Sequence, residues 1–207
     1  MKRALAFLTW TACLVGVLAL YLMSKDAYAQ IPREAETYRR EYIRVCRSEW
    51  GLDAPCASLA AQIHQESGWN CQAVSRVGAA GCAQFMPATA RWIGEVDRSL
   101  AGTDVFSPSW AFRAQSVYMK WLHDRVKGSV PCERMGFAMQ AYNSGLGWVY
   151  KRQKMHTTPL VCFDAACTVN PGVHPANQRE AEEYPVRILK RLEPRYEAAG
   201  WGLGSCE

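Results

Sequence analysis

The sequence predicts a single α+β domain, predominantly α, stapled by disulfides and carrying one small β-hairpin beside a candidate acidic site. Three observations predict it. Apolar residues recur at helical spacing in one segment after another. One glycine-containing stretch, Ala73 to Ala83, instead has two short runs around a turn, and eight of the nine cysteines lie beyond the N-terminal leader. At 207 residues the chain can bury a real core, and no second folded module fits beside it.

The leader comes first. Lys2 and Arg3 precede an apolar run from Ala4 to Met23, and Ala27-Tyr28-Ala29 supplies a small-x-small cleavage pattern before Gln30. Residues 1–29 therefore read as an export signal, cleaved in the first reading. The run exceeds the roughly 7 to 15 residues usual for a signal core, which keeps a retained membrane anchor as the second reading. A lipid-modified Cys13 fits less well, because the chain after it stays apolar and Trp10 stands where such signals carry Leu or Val. Residues 30–207 form the folded domain.

Ala35, Tyr38, Tyr42 and Val45 give Arg33 to Cys46 the pattern of an amphipathic helix. Ala57 to Ser67 is the next, with Gly68 as its stop. Within it Leu59, Ile63 and Glu66 stand at i, i+4 and i+7, so the Glu66 carboxyl lies on the apolar stripe. A glutamate near a helix end is ordinarily a solvated charge or a cap. In apolar surroundings its proton is retained toward neutral pH, as a general acid requires.

Beyond Gly68, Ala73-Val74-Ser75 and Gly81-Cys82-Ala83 flank the turn Val77 to Ala80, and Pro87 opens a third helix. Gln84 is a neutral donor and acceptor suited to sugar hydroxyls or an N-acetyl carbonyl. Ser107-Pro108-Ser109 starts a helix whose apolar face runs through Trp110, Ala114, Val117, Tyr118, Trp121 and Leu122, by default a core face. Phe137, Ala138, Ala141 and Tyr142 mark another, stopped at Asn143-Ser144-Gly145. Lys151 to Arg179 reads as a long loop. A last helix carries Tyr184, Ile188, Leu189 and Leu192 and stops before Pro194.

The eight cysteines beyond Cys13 form an even set without C-x-x-C spacing, and the four histidines complete no metal-ligand pattern. Disulfides in an oxidising compartment are the expectation, as in a periplasm or cell exterior, rather than zinc. Cys71 with Cys82, and Cys162 with Cys167, are the locally simplest pairs. Of the net charge of +5, the leader carries +2. The balance left, with both signs interspersed, gives no nucleic-acid signature and at most favours an anionic wall polymer or membrane surface.

Three ordered motifs, Glu66-Ser67-Gly68, Gly81 to Pro87 (GCAQFMP) and Ala141-Tyr142-Asn143, resemble the soluble lytic transglycosylase family with its ES, GLMQ and AYN. The resemblance covers Leu59 to Leu192. Cys82 and Ala83 replace the family's Leu and Met, and Glu180 to Val186 resembles its E-T-x-x-Y-V element with Ala181 for Thr and Pro185 before Val186. The resemblance implies a lysozyme-like fold and cleavage of peptidoglycan glycan strands between N-acetylmuramic acid and N-acetylglucosamine. Glu66 would be first acid, then base, and the product end a 1,6-anhydro ring. It implies that Tyr142 orients Glu66, that Ser67, Gln84, Tyr142, Asn143 and Tyr184 meet the substrate, and that no cofactor is needed. Protein partners have no signature in the sequence, and the membrane is met only through an uncleaved leader.

Two other readings stay open. A goose-type lysozyme-like hydrolase would use water and a second carboxylate, for which Glu95, Asp97 and Asp104 are candidates, each in a polar stretch that favours a solvated face. A weakly active assembly protein of an envelope machine or phage would keep the fold without needing Glu66.

Overall fold

The computed structural model describes residues 31–102 and 104–206. The leader, with its cleavage pattern and Cys13, lies outside the described residues. The order of elements is α1 (Arg33–Trp50), α2 (Cys56–Ser67), α3 (Pro87–Val96), α4 (Pro108–Arg125), α5 (Pro131–Ser144), α6 (Leu146–Met155) and α7 (Pro175–Val186). A π-helical segment, Arg187–Leu192, and α8 (Glu193–Ala198) follow without a break.

The helix carrying Glu66 is the central one. Every residue of α2 from Cys56 to Ile63 is buried, and α1, the π-helical segment and α8 pack around it. Gly68 ends it in the left-handed region, as its lack of a Cβ permits, with its N–H on the His64 carbonyl. Trp69 follows, also at positive φ, which a bulky side chain adopts only when its surroundings hold it. Its ring is buried among Tyr42, Phe112 and Trp201, and Nε1 donates to the Tyr196 hydroxyl at 2.6 Å. That anchor fixes the direction in which the chain leaves Glu66.

The hairpin is present in a different register. Val74 pairs with Ala80 and Ala80 with Phe85, both antiparallel. The first turn is therefore Arg76 to Gly78, with Gly78 at φ 88°, rather than Val77 to Ala80. Gly81 to Gln84 form a second turn where a strand was expected. The Cys71–Cys82 disulfide ties its base, and Cys162–Cys167 closes the expected short loop. Cys46–Cys56 and Cys132–Cys206 complete the set.

Several boundaries differ from expectation, among them the end of α1, which runs on past Cys46 to Trp50. Residues to Met155 are helical in α6, so the long loop is 156–174. It is ordered by Cys162–Cys167, by Glu133, whose carboxylate accepts the Cys162 and Phe163 N–H groups, and by buried Arg152, which donates to the Val169 carbonyl at 3.2 Å. The last helix also continues past Pro194, which sits in the first turn of α8, where no N–H is required of it. Inside α7, Pro185 offers no N–H to the Ala181 carbonyl, and Gln140 of α5 donates to that carbonyl at 3.1 Å instead.

Candidate active site

Glu66 occupies the last turn of α2, one helical turn beyond Gln62 on the same face. Its carboxyl lines a cleft of about 510 Å³ together with Gln84, Met86, Tyr118, Tyr142, Asn143 and Glu180. A second cavity of about 290 Å³ shares Asn143 and Glu180 and runs on past Trp148 and Val173. The two adjoin at the shared residues and form one groove.

Burial is the largest influence on the carboxyl and pushes its pKa up to about 7. The Tyr184 hydroxyl, donating to Oε1, pulls the other way; Glu180 raises the value further and Arg187 lowers it. The apolar stripe read from the sequence thus has its expected electrostatic consequence. The Tyr184 and Tyr142 hydroxyls are themselves held well above the usual phenol value by burial and by the neighbouring carboxylate.

Of the two tyrosines, Tyr184 rather than Tyr142 bonds Glu66. Tyr142, expected to orient Glu66, donates to the Ala83 carbonyl at 2.7 Å and packs its ring against Tyr118 and Phe85 as a wall of the cleft. Tyr184, expected to meet the sugar, is buried and holds Glu66. The motif spacing could not separate them, because α7 reaches α2 only through the tertiary packing.

Ser67 does not line the cleft. Its hydroxyl donates to the Cys82 carbonyl at 2.8 Å and fastens the second turn to the end of α2. Gln84 lines the cleft at φ 50°, but both amide hydrogens are committed, to Ala73 O at 3.2 Å and Gly81 O at 2.9 Å. It therefore offers the groove an acceptor rather than the donor and acceptor expected. Asn143 is exposed where the two cavities meet.

Glu95, Asp97 and Asp104 do not line the cleft. Asp97 caps Ser99 and pairs with Arg113 at 3.2 Å, and Asp104 accepts the Phe106 N–H at 3.1 Å. The second carboxylate in the groove is Glu180, an exposed residue paired with Arg187. It was read only as part of a sequence element; its position one turn before Tyr184 on α7 is the signal that places both on one face. Tyr118, read as core by default, faces the groove as well.

The model of the transglycosylase SLT domain family matches residues 44–159. The chain is 38% identical over 98 residues to membrane-bound lytic murein transglycosylase F of Yersinia enterocolitica, covering 47% of this chain and 19% of that protein. It is 32% identical over 154 residues to the protein of the same name from Shewanella halifaxensis, covering 74% and 28%. The chain thus spans less than a third of the length of these relatives. Among solved structures, an inactive glutamate-to-glutamine mutant of lytic transglycosylase Slt from Pseudomonas aeruginosa superposes with a TM-score of 0.63 at 21% identity, covering 82% of this chain and 25% of that one. The 70 kDa soluble lytic transglycosylase of Escherichia coli gives 0.56 at 20% identity, covering 80% and 25%. The lysozyme-like fold that the motifs implied is therefore the fold of this chain. Because the family model matches more than half of its residues, the chain belongs to the transglycosylase SLT domain family.

Proposed function

We propose that the chain is a peptidoglycan lytic transglycosylase in which Glu66 acts first as acid and then as base. The observation that carries this reading is the Glu66 carboxyl in the groove, its pKa pushed up to about 7 by burial, with one oxygen held by Tyr184. The neutral carboxyl protonates the oxygen between N-acetylmuramic acid and N-acetylglucosamine, and the bond from that oxygen to the muramoyl anomeric carbon breaks. The resulting carboxylate takes the proton of the muramoyl 6-hydroxyl, whose oxygen closes on the same carbon. A 1,6-anhydro ring forms without consuming water. Such proton transfers contribute about 100- to 10,000-fold, and positioning in the groove supplies the remainder. Gln84, Tyr142 and Asn143 line the path of the sugars. Tyr184 acts on Glu66 rather than on substrate, and Ser67 on the turn that carries Gln84.

Four disulfides among the described residues support work in an oxidising compartment, where the export leader, cleaved or kept as an anchor, would deliver residues 30–207. Peptidoglycan strands are the partner proposed there.

One observation favours the hydrolase reading: Glu180 lies in the same cleft and raises the Glu66 pKa, so it is a carboxylate that could activate a water. Its carboxylate is paired with Arg187, which leaves it less free to hold a water and favours the transglycosylase. Digestion of purified peptidoglycan decides. The expected muropeptides resist borohydride and are about 18 mass units lighter than hydrolysed ends, because closing the site to water removes the competing step. Reducible ends would sink the lyase reading and make Glu180 the next residue to replace. Glu66→Gln keeps the shape and cannot donate a proton, so cleavage is expected to fall by at least about 100-fold. Clearing of the wall by the folded variant at the parent's rate would refute the role of Glu66.

A further inference from the structure

We propose that Gln62 is a positioning residue for Glu66: with Gln115 and Tyr42 it forms a one-way hydrogen-bond chain that makes Tyr184 a donor to Oε1 and confines the acid proton to Oε2. The inference rests on the assignment of Glu66 as the acid.

The chain crosses the core and joins four helices. The Tyr42 hydroxyl of α1 donates to Gln115 Oε1 of α4 at 2.8 Å. Gln115 Nε2 donates to Gln62 Oε1 of α2 at 2.5 Å, and Gln62 Nε2 donates to the Tyr184 hydroxyl of α7 at 3.2 Å. Tyr184 in turn donates to Glu66. Tyr42, Gln62, Gln115 and Tyr184 are all at most 2% exposed. Each of their N–H and O–H groups has an acceptor, the remaining two being the Leu59 carbonyl and the Met119 sulfur.

Its direction is fixed at one point. The Leu59 carbonyl can only accept, and Gln115 Nε2 lies 3.3 Å from it. Turning the Gln115 amide over would set two acceptors against each other, which burial makes costly. With Gln115 fixed, its NH₂ must meet the Gln62 carbonyl, so Gln62 presents its own NH₂ to Tyr184. A phenol has one proton. Accepting from Gln62, Tyr184 has that proton free only for Glu66.

The consequence falls on the carboxyl. Oε1 receives the Tyr184 proton and so is the unprotonated oxygen of the neutral acid. No described residue donates to Oε2, and it is not among the buried atoms left without a partner, so it is the oxygen available to a substrate. The other groups facing Glu66 are the Tyr142 hydroxyl, Glu180 and Arg187. None of them fixes the Tyr184 proton. Stability alone does not require such a chain, since replacing both partners of a buried hydrogen bond with apolar groups of the same shape is close to neutral.

Soluble glycan strands and a pH series of kcat and KM test the proposal on the parent, Gln62→Met, Tyr184→Phe and the double variant, with circular dichroism to verify folding. Gln62→Met should lower kcat about tenfold while KM changes by less than about twofold, the loss of one hydrogen bond acting in the transition state. The alkaline limb of kcat should move to higher pH in Gln62→Met and in Tyr184→Phe, since both weaken the bond that stabilises the Glu66 carboxylate. The double variant should be no worse than Tyr184→Phe alone. Tyr42→Phe, which keeps the ring, should move the limb in the same direction by less. An unmoved limb in folded Gln62→Met, or losses that multiply in the double variant, would overturn the proposal. Should Gln62→Met fail to fold, an unmoved limb in Tyr42→Phe overturns it. An active Glu66→Gln protein would instead sink the acid assignment itself, whereas an inactive one with an unmoved Gln62→Met limb sinks only the role of Gln62.

Discussion

Unfolded, the Glu66 carboxyl ionises near its ordinary value of 4.5; folded, burial moves it to about 7. The sign of the linkage follows. The neutral form is the one the folded state favours, so this contribution to stability is complete below 4.5 and is lost as pH rises through 7. Glu66→Gln is always neutral and escapes that loss. Its stability relative to the parent should rise by on the order of 2 to 3 kcal/mol between pH 4 and pH 9. Thermal melts across that range measure it, and a difference that stays constant with pH would show that burial does not hold the proton on Glu66. The same substitution should remove activity, so one carboxyl links lower stability above neutral pH to the proposed chemistry.

The turn between the hairpin and α3 sets the wall opposite Glu66. Gly81 lies there at φ 79°, and a Cβ added to it would stand 1.8 Å from the Val105 carbonyl oxygen. Backbone on both sides must give way. Gly81→Ala is expected to cost about 2 to 4 kcal/mol, combining the left-handed penalty with the clash. Activity should fall with it, because Gln84 donates to the Gly81 carbonyl and Phe85 pairs with Ala80 next to it. Chemical denaturation together with a wall-clearing assay would report both. Gly78→Ala is the control, at φ 88° with nothing within 4 Å of the added atom, and should lose only the smaller conformational part. Equal losses at the two positions would mean that the contact with Val105 contributes nothing.

The C-terminal tail closes the molecule over the start of its central helix. Leu203 offers its carbonyl to the Ala57 N–H at 3.0 Å, Ser205 bonds Ser58 at 2.8 Å, and Glu193 and Glu197 accept the Cys206 and Gly204 N–H groups. Cys206 is then bonded to Cys132 at the start of α5, a separation of 74 residues. In the chain-entropy view a loop of that length stabilises by about 4 kcal/mol. Replacing both cysteines with serine should lower the melting temperature by roughly 10 °C. The shorter Cys162–Cys167 loop, five residues apart, should cost less. A larger drop from the short loop would show that the tail is held by its hydrogen bonds and packing rather than by the crosslink.

Local chemistry made much of this molecule legible from its residues alone. The apolar stripe that contains Glu66, the left-handed stop at Gly68, the proline that opens α3 and the disulfides closing 71–82 and 162–167 depend on neighbours within a turn or two of chain. Periodicity, φ preference and loop length express those directly. The extension of α6 to Met155 and the continuation of the last helix past Pro194 were not legible, nor was the residue far away in sequence, Gln140, that satisfies the carbonyl Pro185 leaves open. The same limit governed the site. Its motifs named Tyr142 and Tyr184 together, but which hydroxyl reaches Glu66 depends on how α5 and α7 dock against α2. Gln62, Gln115 and Tyr42 had no motif at all, since a buried polar side chain reads as a polar residue until its partners on other helices are known. Periodicity and local preferences along the chain were enough for most of the helices and for the Glu66 carboxyl on an apolar face. Tertiary packing alone decided which groups surround that acid, because burial and hydrogen-bond direction are properties of residues that meet only after folding.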